Sequence, residues 1–344
     1  MTPSILITVS VNLLLEPLLA RKAHEGQFPI MPAISPINSP TVSASGAHAY
    51  VRARPIRSLW VGWHLLSLDA PTVAVVWCWF FAAAFGVSLP STALITLALG
   101  TWSVYVADRL LDGWRSTDMT TLRDRHWFYL RHRKPFVIAW IVAAIPLAYL
   151  IFFRVQPAVR TDDIVLCMIG TAYFLLIHNR PAKHHFSKEF FVGFLFSIAT
   201  AVPTWTRLRE DRVALMAAVV TFGAACWLNC VAIQVWEDAE AMREGLHTIF
   251  SEGPPNPAEI RPRGLTEFLG NHLAAFAMAV GVLAFSLGCI PAARTAWPLF
   301  AAVALSSILF LALIRKTERF SALSLRILAD GALLTPLILF LHLR

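Results

Sequence analysis

At 344 residues the chain has the length of roughly two or three soluble domains. Its composition excludes that arrangement: 57% of the residues are hydrophobic, only 15% are charged, and the mean hydropathy is +0.62. A water-soluble fold of this size cannot hide so much apolar surface, whereas a bilayer takes the place of a core for it. The net charge of +8 would by itself fit a nucleic-acid partner. The basic residues instead fall in the segments between apolar runs, so no nucleic-acid partner is expected. No P-loop, strand-linked GxGxxG, GxSxG or HExxH motif occurs.

Residues 1–57 differ from the rest. Ser4 to Ala20 is apolar but short, is interrupted by Glu16 and has no basic flank before it, which makes it a poor signal peptide. Residues 26–49 are rich in Pro, Ser, Ala and Gly and read as a linker. The expectation is a flexible or poorly ordered segment over 1–57, followed by one membrane domain over 58–344.

Apolar runs follow at about 70–88, 90–107, 136–153, 162–178, 190–206, 213–236, 268–290, 296–314 and 325–342. A helical span needs about 20 residues, and tilt or interfacial tryptophans absorb small shortfalls. Helix is the only open option, because lipid cannot satisfy backbone groups and the runs lack the alternation of barrel strands. The expected fold is an all-α polytopic bundle of about nine transmembrane helices around a central cavity.

With the segment before the first span in the cytoplasm, 22 of the 29 Lys and Arg residues fall on the cytoplasmic side. This follows the positive-inside rule and fits an odd number of spans. The expected location is a bacterial inner membrane, with the N-terminus cytoplasmic. Two cytoplasmic loops, about 108–135 and 237–267, are long, which draws attention to that face. The five cysteines, Cys78, Cys167, Cys226, Cys230 and Cys289, lie inside apolar runs and read as small hydrophobes.

Polar residues at the cytoplasmic ends of the runs carry the chemistry. Asp108 and Asp112 close the second run, and their i,i+4 spacing puts both carboxylates on one helix face. Such a pair can hold Mg²⁺, which prefers carboxylates, waters and substrate phosphates. It can equally be a solvated helix end paired with Arg109 or Arg115. Asn229, Gln234, Glu237 and Asp238 close the sixth run, with Asn229 and Glu237 two turns apart on one face and Gln234 and Asp238 at i,i+4 on a neighbouring face. Asn229 lies well inside an apolar run, where a polar group is either functional or bonded to another helix. Acidic clusters thus end two helices on the same side, an arrangement suited to a diphosphate bridged by Mg²⁺. Arg180, Lys183 and Lys188 follow the fourth run and either anchor the chain at the interface or stabilise a departing diphosphate. Asp330 is isolated inside the last run, where an ionisable residue is either functional or, as expected here, a cap or partner of Arg326 one turn earlier.

In these features the chain resembles the UbiA-type intramembrane prenyltransferases, which have nine helices and aspartate-rich motifs at the ends of the second and sixth. The last two carboxylates of the first family motif, Asn-Asp-x-x-Asp-x-x-x-Asp, match Asp108 and Asp112; Val104 and Tyr105 stand where the motif begins with Asn and Asp. In the second motif, Asp-x-x-x-Asp, Gln234 and Asp238 hold the register with Glu237 adjacent. The Lys188-Glu189 step and the helix to Pro203 are similar to the family's fifth helix, and the likeness extends over about 58–344.

The resemblance implies Mg²⁺-dependent transfer of a prenyl group from a prenyl diphosphate to a small or lipid-associated acceptor. It implies metal ligation by Asp108, Asp112, Glu237 and Asp238, with Asp108, Asp112 and Asp238 essential to catalysis. Asn229, Gln234, Arg180, Lys183 and Lys188 would contact substrate. A non-catalytic isoprenoid-lipid-binding or partner-binding protein of the same fold is the alternative. A transporter is disfavoured, because no inverted repeat is evident and the carboxylates cluster at one face.

Overall fold

The computed structural model describes residues 59–115, 124–157, 159–162, 164–165, 168–170, 188–252 and 265–343. The N-terminal segment, most of the fourth apolar run, Arg180 and Lys183 lie outside the described residues, as does the side chain of Asp112. Every regular element among the described residues is a helix.

The chain enters on a short helix, α1 (Leu59–Leu65), which meets α2 (Asp69–Ala84) at a 90° bend. Ser67, in the bend, has φ 57°, the left-handed region that L-residues with a side chain rarely adopt. Then come α3 (Ser91–Arg115), α4 (Asp124–Arg131) and α5 (Arg133–Tyr149), the last running on into a π turn (Leu150–Arg154). The second half holds α6 (Lys188–Trp205), α7 (Arg212–Glu252), α8 (Leu265–Asn271), α9 (Leu273–Gly288) and α10 (Trp297–Ile314). Two short helices, α11 (Ala322–Ala332) and α12 (Thr335–Leu343), end the chain.

Among the described residues, four helical stretches are long and apolar enough to cross a membrane: Ser91–Leu111, Arg133–Arg154, Arg212–Glu240 and Ala293–Ile314. The bent pair α1–α2 makes a fifth if it counts as one broken span. The face of α5 is apolar and bare: Ile138, Ile141 and Ile145 are 61%, 52% and 67% exposed. Isoleucines in such a row on a helix surface are at home in lipid rather than water.

Three expected spans differ from their expected form, two by a break and one by its length. The run 268–290 is broken at His272, whose Nδ1 lies 2.8 Å from the carbonyl of Phe268 and competes for the end of α8. The last run is broken at Leu333 and Leu334, just before Thr335-Pro336. Proline has no N–H and its ring clashes with the carbonyl four residues back, here that of Ala332, the last residue of α11. The third departure is an extension. Residues beyond 236 continue α7 as helix to Glu252 rather than forming loop, giving 41 residues and about 60 Å at 1.5 Å each. That is twice the hydrocarbon thickness, so α7 projects from the membrane.

Packing centres on α7. It lies against α6, α9, α10 and α11, and α6 also packs on α2 and α3. The α6–α7 contact is close because Gly193 carries no side chain: a Cβ there would sit 2.6 Å from the backbone nitrogen of Trp227. Small residues at such crossings let backbones approach where lipid offers no hydrophobic drive. Trp77 of α2 stacks on Phe222 of α7 with ring centroids 3.8 Å apart, and both are fully buried. A second cluster joins α3, α4 and α5 through Val106, Tyr129 and Phe136.

Candidate functional site

Asp108 stands in α3, near the end of its apolar stretch Ser91–Leu111. Its Oδ1 lies 3.8 Å from the Nζ of Lys188 at the start of α6, with the two side chains 35% and 47% exposed. A pair so open to solvent contributes at most about 1 kcal/mol, so it orients more than it stabilises.

On α7 the polar residues divide between two faces. Gln234 Nε2 donates to Asp238 Oδ1 at 2.8 Å, along the same helix. Asn229 and Glu237 both reach α11. Glu237 accepts from Arg326 Nη1 at 2.7 Å, and the two side chains are 11% and 16% exposed. Asn229 Nδ2 donates to Asp330 Oδ1 at 3.0 Å. The expected Asp330–Arg326 pair is therefore corrected. Arg326 turns to the enclosed carboxylate of Glu237, which without a cation would be left as an uncompensated charge. Asp330 takes its hydrogen bond from Asn229 instead.

Asp330 belongs to a group the sequence did not point out. His64 at the end of α1, Asp69 at the start of α2 and Asp330 of α11 each offer a ligand or proton-accepting atom, all within 4.8 Å of one another. Among the described residues no other set of three His, Cys, Asp or Glu side chains forms such a group. Asp108, Glu237 and Asp238 do not make one.

The 90° bend builds this group. It folds His64 back so that its Nδ1 meets Asp69 Oδ2 at 2.6 Å, with side chains only 2% and 10% exposed. Asp69 Oδ1 accepts from the backbone N–H of Ala70 at 3.0 Å. Arg109, buried next to Asp108 in sequence, donates through Nη1 to the carbonyl of His64 at 3.0 Å. The guanidinium also lies over the ring of Tyr129, 5.6 Å from its centroid. Tyr129 in turn shares a 2.5 Å hydrogen bond with the Oγ of Ser67, the strained residue of the bend. Burial pushes the Tyr129 phenol above its ordinary pKa, so it stays neutral beside the guanidinium. Asp69 and Asp330, if both ionised at that separation, would repel by roughly 3–4 kcal/mol at an effective dielectric of about 20.

Several polar atoms here have no hydrogen-bond partner although buried: His64 Nε2, Arg109 Nη2, Asn229 Oδ1 and Arg326 Nε. Unsatisfied polar atoms are normally scarce in a folded interior and mark places where a ligand, ion or water belongs.

The sequence carried two hints of this group. Asp69 opens an apolar run with no basic neighbour in its first turn, and Asp330 interrupts one. The bend that brings His64 to Asp69 leaves no mark in hydropathy. No family model, curated protein or solved structure matches the chain.

For Mg²⁺, the residues at the ends of α3 and α7 fit in part. Asp108 is partly exposed and Asp238 only half-buried, so each can offer a carboxylate oxygen beside waters and phosphates. Glu237 is committed to Arg326 and fits less well.

Proposed function

We propose that the protein is an intramembrane prenyltransferase of the UbiA type, acting on a prenyl diphosphate and a small or lipid-associated acceptor. In this reading the chain crosses a bacterial inner membrane nine times around a central cavity, with its N-terminus cytoplasmic. The observation that carries the reading is the placement of Asp108 and Asp238. They stand at the ends of the apolar parts of α3 and α7, both of which pack on α6, and Lys188 of α6 lies 3.8 Å from Asp108.

Asp108, Asp112 and Asp238 would hold Mg²⁺, an ion that favours carboxylates, waters and substrate phosphates. Bound Mg²⁺ supplies neutralisation of the leaving diphosphate. The protein's own residues bind and orient. Lys188, with Arg180 and Lys183, steadies the phosphate oxygens as the allylic C–O bond breaks and its electron pair leaves with diphosphate. Gln234 fixes Asp238 by its hydrogen bond. The acceptor forms the new bond to the allylic carbon and loses a proton. Apolar helix walls keep water from that carbon.

A second reading has its own support. Asp108, Glu237 and Asp238 all have partners within the protein, Lys188, Arg326 and Gln234. Side chains satisfied without an ion suit a protein that binds an isoprenoid lipid without turning it over.

Diphosphate release separates the two. Purified protein given Mg²⁺, a prenyl diphosphate and a panel of phenolic and hydroxylated acceptors should release diphosphate. Asp108→Ala and Asp238→Ala should each slow release by about two orders of magnitude. Release at the same rate in both variants would remove the two carboxylates from the mechanism. No release with any acceptor, together with retained binding of the isoprenoid chain, would favour the second reading.

A further inference from the structure

The cluster of His64, Asp69, Asp330 and Asn229 shares no residue with the set assigned to Mg²⁺ and diphosphate. Its charges do not balance. Asp69 and Asp330 face one fixed cation, Arg109, whose Nη1 is held by the carbonyl of His64. The other titratable groups within electrostatic reach are neutral when protonated: Tyr105 on α3, Tyr129 on α4, and Cys226 and Cys230 on α7. Arg326, one turn from Asp330, is taken by Glu237. The neighbouring α10 carries no charged residue.

The cluster is thus one positive charge short of neutrality inside an apolar bundle, where a net charge is strongly disfavoured. A divalent ion would overshoot by as much as the empty cluster falls short. A single proton closes the balance.

The hydrogen bonds say where it goes. Asp69 accepts from His64 Nδ1 and from the N–H of Ala70, two donors that favour its ionised form. Asp330 accepts a single bond, from the Asn229 amide, at Oδ1. With His64 Nδ1–H directed at Asp69, its Nε2 keeps a free lone pair, and Nε2 is buried with no partner. Asn229 Oδ1, in a side chain 8% exposed, is likewise unpartnered.

We propose that His64, Asp69, Asp330 and Asn229 form a buried proton-binding centre holding one proton on the Asp69–Asp330 carboxyl pair, with His64 Nε2 as its unpartnered acceptor. The centre is defined without any substrate. Its use rests on the proposed transfer: a hydroxyl or phenolic acceptor that attacks the allylic carbon through oxygen must give up its O–H proton. His64 Nε2 can take that proton as the new C–O bond forms and diphosphate leaves with the old bond's electron pair. Asp69 then holds the imidazolium by its hydrogen bond.

Infrared spectroscopy of the full-length protein in detergent tests the centre with no substrate present. A carboxylic C=O stretch should persist above neutral pH in the wild type. It should vanish in Asp330→Asn, and in Asn229→Ala it should move in frequency without vanishing, since only a hydrogen bond to it is lost. The Asn229→Ala arm keeps the test informative if Asp330→Asn fails to fold. Absence of the band in the wild type, or its survival unchanged in both variants, would overturn the proposal. So would an equivalent of divalent metal that copurifies with the wild type and is lost in His64→Ala. Failure of prenyl diphosphate to bind would leave the band untouched, so the two readings fail separately.

Discussion

Glu237 and Arg326 meet at 2.7 Å with little solvent around either. Removing one partner of so enclosed a pair leaves the other charge uncompensated, which typically costs about 3–5 kcal/mol. Glu237→Ala should therefore lower the thermal unfolding temperature in detergent far more than Asp108→Ala, whose ion pair is open to water. Equal shifts would contradict the assignment of Glu237 to structure. These residues also show what could be read one side chain at a time. Asn229, Glu237 and Asp330 are legible as polar groups at membrane depth, because that depth penalises them whatever the fold. Their partners are not. The sequence offers Asp330 a neighbour at i−4, yet its hydrogen bond comes from Asn229, 101 residues away. His64 and Asp69 fall at the edge of an apolar run, where polar residues are ordinary, and only the turn through Ser67 gives them a shared role.

At the scale of elements, the apolar runs foretold helices because lipid leaves the backbone no alternative. Their interruptions were harder to see. Pro336 is visible in the sequence, but a single proline is tolerated in many membrane helices, so the break at Leu333 and Leu334 did not follow from it alone. The break is tied down from outside: Trp77 Nε1 of α2 donates to the carbonyl of Leu333 at 2.7 Å. Trp77→Phe removes that donor within the core and should destabilise the protein by about 1–3 kcal/mol, beyond any effect on ring packing. An unfolding temperature equal to that of the wild type would show that the break holds itself. The α6–α7 crossing gives a sharper expectation. A methyl at residue 193 would meet backbone atoms of Trp227 and Cys226 at 2.6 to 3.1 Å, and backbone cannot rotate away. Gly193→Ala should cost about 1–3 kcal/mol or prevent folding, while Gly100→Ala, with nothing within 4 Å, should be near neutral.

For the whole molecule, the proposed orientation in the membrane rests on the distribution of Lys and Arg. Cys289, exposed at the end of α9, offers a test of that orientation. It lies in a segment that the charge count assigns to the side away from the cytoplasm. A membrane-impermeant maleimide applied to intact spheroplasts should label the wild type and not Cys289→Ser. Labelling that requires permeabilised membranes would invert the assignment.

In the proposed mechanism the ends of α3 and α7 bind a prenyl diphosphate through Mg²⁺. Calorimetric titration of a prenyl diphosphate into purified protein in detergent, with and without Mg²⁺, tests it most directly. Binding should require Mg²⁺ and be lost in both Asp108→Ala and Asp238→Ala. Wild-type protein that fails to bind, or two variants that bind as the wild type does, would contradict it and leave the acidic residues as structural partners of Lys188 and Gln234.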